Sequence, residues 1–170
     1  MDRPYTPLAF ANEFIAKSGP FGVVHMKLQK LVYLCYGWWL VGHADPIIAE
    51  APEVWRHGPV FASLYDALKG QGHASITTLQ RQFFSQTPDR VNPGDQEAFD
   101  LIEWVWQRYG RYDQFYLSNL THQPNTPWYV TAAEHSFRVP MHTEIPVVTI
   151  RDHFRSIAVD RGFVAHEHAH

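Results

Sequence analysis

The sequence predicts a mainly α fold of the α+β class: a single compact helical domain over residues 1–161 with a small β-hairpin or short extended segments, then a His-rich polar tail over 162–170. Three observations carry this. Apolar residues recur with a helical period in several stretches, the runs rich in β-branched and aromatic residues are short, and no repeat, low-complexity tract or linker divides the 170 residues. A chain of this length buries about two thirds of its unfolded surface, enough for a core without disulfides or metal.

The first helix opens at Thr6-Pro7, an N-cap followed by proline at N1, carries Leu8, Phe10, Ala11, Phe14 and Ile15, and stops at Ser18-Gly19-Pro20. The second runs from near Val24 toward Gly42, with Leu28, Leu31, Val32, Cys35, Trp38 and Trp39 at i, i+3, i+4, i+7, i+10 and i+11 in one stripe. Lys27 and Lys30 lie off that stripe near its start, and Leu34, Gly37 and Val41 follow them, so the second half is apolar all round and belongs at the centre of the core. On this phase the Lys30 ammonium reaches water, and reversing its charge would leave the fold intact.

Pro46–Ala49 and Glu53–Arg56, separated by Glu50-Ala51-Pro52, read as a small hairpin or two irregular extended pieces. His57-Gly58-Pro59 reads as the opening of a third helix, with Pro59 near N1 and Val60, Leu64, Ala67 and Leu68 on one face. His73 to Arg90 has no firm period and reads as a surface segment holding Phe83-Phe84. Asn92-Pro93 starts the next helix, with Phe99, Ile102, Trp106 and Tyr109 as its stripe and Trp104 off it as a surface anchor. Asp113 caps a short helix and Thr126-Pro127 opens another through Glu134. Arg138-Val139 and Ile145–Val148 read as extended, and Thr149 with Asp152 resembles a capping box for a last helix bearing Ile150, Phe154 and Ile157.

Fourteen Lys and Arg against 17 Asp and Glu give a net charge of -3 with no run of like charge, which argues against a nucleic-acid partner. Half-protonation of the 11 histidines near pH 6.5 takes that charge to about +2.5, so its sign changes in mildly acidic solution. The single cysteine, Cys35, excludes an internal disulfide and a cysteine-rich zinc site, and its place in the apolar stripe marks an inert core thiol. The start lacks the apolar core of a signal peptide, and the run Leu31–Val41 is shorter than the about 20 residues a bilayer needs. A cytoplasmic protein with no membrane partner is expected.

The common hydrolase and nucleotide-binding signatures, HExxH, GxSxG, GxxxxGK[ST] and GxGxxG, are absent. His166, His168 and His170 alternate in the tail, but a frayed terminus cannot fix ligand geometry, so no metal and no cofactor are expected. His25, His43, His57 and His122 sit near element ends, as turn and helix-end histidines do. The alternative reading is a hydrolase using His57 or His122 as acid–base or metal ligand. Ser118 and His122 at i, i+4 invite it, although a nucleophile and its base also need an orienting third group and an oxyanion site.

The order of motifs says more than any one of them. Lys27-Leu28-Gln29-Lys30-Leu31 within His25–Trp38, then Glu50, then Trp55-Arg56-His57-Gly58-Pro59-Val60 with Leu64-Tyr65, then Leu117-Ser118-Asn119-Leu120-Thr121-His122, then Pro127-Trp128, resembles the Panacea domain of SocA-like antitoxins. The resemblance spans about Thr6 to Phe154, and departs from the family pattern at Gln123-Pro124-Asn125-Thr126, where a shorter, often acidic link is usual. It implies a non-enzymatic antitoxin that neutralises the toxin of a neighbouring gene by direct protein contact, in some members as an adaptor that hands the toxin to a protease. It marks Lys27, Gln29, Lys30, Trp55, Gly58, Pro59, Val60, Tyr65, Thr121, His122, Pro127 and Trp128 as structural or partner-binding residues. Structural roles suit them: Gly58-Pro59 as a sharp lead-in to the third helix, the lysine stems over apolar neighbours, Trp128 clamping a loop to the core. The toxin-contacting surface is then expected in Gln80–Arg90 or on the outward side of the Asp95–Tyr109 helix.

Overall fold

A computed structural model describes residues 1–163. Its axis is α2 (His25–Gly42), in which 14 of 18 residues are buried. Around it pack α1 (Pro7–Ser18), α4 (Gln96–Tyr109), α5 (Gln114–His122) and α7 (Val147–Asp160), with α6 (Pro127–Glu134) on α5. A helix buried on every side needs neighbours on every side, and the apolar second half of α2 recruits them. The caps are local and follow the residues: Thr6, Asp95, Asp113 and Thr126 each accept a backbone N–H from the first turn of their helix. Two small antiparallel sheets complete the mainly α architecture.

One sheet pairs β1 (Val23–Val24) with β4 (Ser75–Ile76), the latter in the stretch that shows no period in the sequence. The other is a hairpin of β2 (Glu53–Trp55) and β3 (Gly58–Val60), with Trp55 opposite Gly58. Pro59 therefore lies in a strand, and the third helix, α3 (Ala62–Leu68), starts three residues later than the sequence suggests. Gly58 takes φ +117°, which turns the chain back on β2, and side chains distant in sequence hold Pro59 and Phe61 extended, Lys30 through Pro59 O and Gln29 through Phe61 N and O. Pro46–Ala49 supplies no hairpin strand; Ile48 makes only a parallel bridge to Tyr5.

Two helices differ in phase or start. The buried face of α4 is Ala98, Ile102, Val105 and Tyr109, leaving Phe99 and Trp106 half-buried, because α4 packs on α1 as well as α2. Trp104 is no free anchor: its ring meets Trp38 edge-on at 5.0 Å, and the Arg108 guanidinium lies 4.3 Å from its centroid. The last helix begins at Val147 without a side-chain cap, so Thr149 sits inside its first turn rather than capping it. Strand-like pairing at Ile145, whose N–H donates to Pro52 O at 2.8 Å, ends at Pro146, whose φ of −59° already suits a helix.

The last helix, α7, packs closely on α2 at Gly37. Phe154 lies across Gly37 so closely that a Cβ there would sit 2.1 Å from Cε2, and Tyr33 and Trp38 meet the same ring edge-on at 5.9 and 5.2 Å. Gly37→Ala should therefore lower stability by about 2 kcal/mol, although alanine is favoured over glycine by about 1 kcal/mol inside a helix. Thermal melts check this, and Phe154→Leu should recover part of the loss in the double variant.

Candidate functional site

Most of the marked residues gather around the hairpin. A two-stranded ribbon of three-residue strands leaves its outer carbonyls unpaired, and buried unpaired carbonyls are costly. Side chains from three helices supply the donors. From α2, the Gln29 amide accepts from Phe61 N at 2.9 Å and donates to Phe61 O at 3.3 Å, while Lys30 Nζ donates to Pro59 O at 2.9 Å. From α5, Ser118 Oγ donates to His57 O. From α6, Trp128 Nε1 donates to Trp55 O at 2.7 Å, the clamp that the sequence suggests for Trp128. Within the ribbon Trp55 Nε1 donates to the buried Glu53 carboxylate at 2.8 Å, which also accepts from His142 Nδ1 at 3.1 Å. Gly58 is confined on the α2 and α5 sides: a Cβ would lie 3.1 Å from Lys30 Nζ and 3.2 Å from Thr121 Oγ1.

Lys30 overturns the expectation of a water-facing ammonium. It is 1% exposed, because the hairpin covers the side of α2 opposite the apolar stripe, and burial draws its pKa down to about 7. Lys27 is half-buried elsewhere, its ammonium donating to Gly110 O and lying 5.7 Å from the Trp106 ring centroid.

Beside the hairpin, between the start of α2 and α3, lies an open cleft of about 440 Å³. Gln29, Lys30, Trp55, Val60 and Tyr65 line it with His25, Met26, Arg56, His57, Lys69, Gly72 and His73. The Tyr65 ring stands 4.7 Å from that of Trp55 and 5.5 Å from that of His25. His25 Nε2 accepts from Gln29 Nε2 at 3.1 Å, which requires a neutral ring. Burial, and then the Lys30 charge, lower its pKa to about 4. Gly58, Pro59 and Thr121 form the buried hairpin and α5 surfaces behind; His122, Pro127 and Trp128 belong to the α5–α6 junction, and Lys27 stands apart.

The hydrolase pair does not assemble. Ser118 spends its hydroxyl on the His57 carbonyl, and His122 Nδ1 bonds the Ser118 carbonyl instead of its hydroxyl, with its ring edge-on to Trp128 at 5.2 Å. No nucleophile–base hydrogen bond exists there. Cys35 is fully buried and its pKa is raised by burial, the state of an inert thiol. Among the described residues no group of His, Cys, Asp or Glu is placed to hold a metal ion, and His166, His168 and His170 lie outside them. No helix among the described residues is long and apolar enough to cross a membrane.

A family model described as Antitoxin SocA-like, Panacea domain, matches residues 28–129, more than half of the chain. The chain belongs to the SocA-like antitoxin family. Over 163 residues it is 28% identical to Antitoxin SocA of Caulobacter vibrioides (strain NA1000 / CB15N), a match covering 91% of this chain and 87% of that one. No solved structure matches it. The family segment contains the hairpin and its side-chain donors. Sequence reasoning missed Ser118 and Glu53 as structural partners, and it missed the cleft, for which the i, i+4 spacing of His25 and Gln29 is the local signal that could have been read.

Lys30 yields a paired prediction. Lys30→Glu places a carboxylate against the Pro59 carbonyl and should cost at least about 3 kcal/mol, whereas Lys30→Met should fold. The amine titrates near 10.5 in the unfolded chain and near 7 in the folded one, so between these values the unfolded state binds more protons and stability climbs as pH rises. Urea unfolding from pH 7 to 10 should show that climb in the wild type and a flatter profile in Lys30→Met.

Proposed function

We propose that this chain is the antitoxin of a toxin–antitoxin pair and neutralises a neighbouring-gene toxin by binding it directly, with no turnover chemistry of its own. The family match over residues 28–129 carries this reading. The geometry supports it: the motif side chains hold a hairpin and a cleft, and the one nucleophile–base pair the sequence offers points at backbone carbonyls.

A second feature supports a protein partner. In the segment Gln80–Arg90, Phe83 and Phe84 are fully exposed, yet the base of the loop is fixed. Asn12 on α1 bonds Gln80 N, Gln80 O and Asp89 O at 2.8 Å each, and Glu13 pairs with Arg90 at 2.7 Å. Two phenylalanines held out on a loop whose base is fastened suit an apolar pocket of a partner.

Coexpression with the toxin-like product of an adjacent gene should restore growth, and the two proteins should copurify. Absence of both rescue and complex overturns the reading. The toxin's half-life separates the modes: unchanged in masking, shortened where the chain acts as an adaptor delivering the toxin to a protease. Phe83→Ser with Phe84→Ser should change stability by less than about 0.5 kcal/mol and weaken rescue.

A further inference from the structure

The cleft beside the hairpin carries a charge pattern that hairpin support does not require. Lys30, Arg56 and Lys69 line it together with three histidines, His25, His57 and His73, and among the described residues no carboxylate does, in a chain whose net charge is -3. Lys69 also meets the exposed Asp66 at 3.3 Å, and the hairpin's own carboxylate, Glu53, is taken by Trp55 and His142. The most buried of the six, Lys30, gives one ammonium hydrogen to Pro59 O and has no carboxylate partner among the described residues. An ammonium has three donors, and burying it without a counter-charge is unfavourable.

The start of α2 adds a second, independent source of positive potential. His25 and Met26 are its first two residues and line the cleft, and Val24 at the cap supplies no side-chain acceptor. The positive dipole end of an 18-residue helix thus borders the space that Lys30 lines. The remaining wall is apolar and aromatic: Met26, Trp55, Val60 and Tyr65.

We propose that this cleft is an anion site that receives a carboxylate side chain of the toxin, one oxygen on the Lys30 ammonium beside the start of α2, with an adjoining apolar residue against Trp55 and Tyr65. This rests on the reading of direct toxin binding. A volume of about 440 Å³ suits one or two side chains of a docked segment. Arg56 and Lys69, both exposed, add long-range attraction at the rim. Burial lowers the Lys30 pKa, and an arriving anion favours the charged ammonium.

Methionine methyl labelling reads this site directly, since of the three methionines Met26 alone lines the cleft. In titrations of the full chain with glutarate and with inorganic phosphate, the Met26 methyl signal should move saturably while those of Met1 and Met141 stay. The response should weaken at least about tenfold in Lys30→Met, and weaken relative to the wild type's in Arg56→Ala with Lys69→Ala or in about 0.5 M salt, which remove or screen the rim charges. No movement of Met26 with either probe overturns the anion site.

The copurified complex then separates the two sources of the anion. Arg56→Glu with Lys69→Glu should weaken toxin binding at least about tenfold, and bound toxin should abolish the glutarate response of Met26. Unchanged toxin affinity, with glutarate still moving Met26 in the complex, overturns the toxin carboxylate in favour of a free small anion, and leaves direct neutralisation standing. If the wild type captures no toxin, the antitoxin reading and the assignment of the carboxylate to the toxin both fail, while the Met26 response still decides whether the cleft binds anions.

Discussion

The bidentate bond from the Gln29 amide to the N–H and C=O of Phe61 is the constraint on which the site depends. It replaces a strand partner that β3 lacks, and it fixes the chain where the hairpin turns into α3. Lys30, one residue on, does the same for Pro59, so adjacent residues of the buried helix carry successive parts of the hairpin backbone. Ser118 and Trp128 hold the hairpin from α5 and α6, through the carbonyls of His57 and Trp55. A buried polar network of this kind stabilises when complete and destabilises when a member is lost, because each orphaned group keeps its full desolvation penalty.

That network also explains the glycine. The Gly58 φ of +117° lies in a region side chains rarely adopt, and Lys30 Nζ and Thr121 Oγ1 fill the space where a Cβ would stand. Backbone conformation and crowding demand the same residue. The proline beside it has no N–H to leave unpaired, which suits a strand whose other groups are met by side chains.

Elsewhere charged groups tie the surface to the core. Asp95 caps α4 through Ala98 N, accepts two hydrogen bonds from Arg3 at 2.7 and 2.6 Å and one from Tyr5 OH at 2.7 Å. The Arg3 guanidinium holds this carboxyl well below the usual carboxylate range. The N-terminal segment is thereby fastened to α4, as the Gln80–Arg90 loop is fastened to α1 by Asn12 and Glu13, so the exposed phenylalanines and the cleft are carried on one packed scaffold. Preorganised surfaces lose less entropy on binding.

The sequence by itself determined what short-range physics encodes. Thr6-Pro7, Asp113 and Thr126-Pro127 are caps that need no tertiary partner, and the stripe from Leu28 to Trp39 requires a buried helix. Only the tertiary structure decided which faces are covered. Periodicity places Lys30 off the stripe but cannot say that a hairpin will lie over it, and it reads Phe99 and Trp106 as the buried face of α4 where packing on two helices selects Ala98 and Val105. Pro59 carries the same ambiguity, since proline suits the first turn of a helix and an edge strand alike, and the choice falls to Gln29, Lys30 and Ser118, which are distant in sequence. The cleft and its basic lining arise where α2, the hairpin and α3 meet, and a site assembled from separate elements leaves no local pattern in the chain.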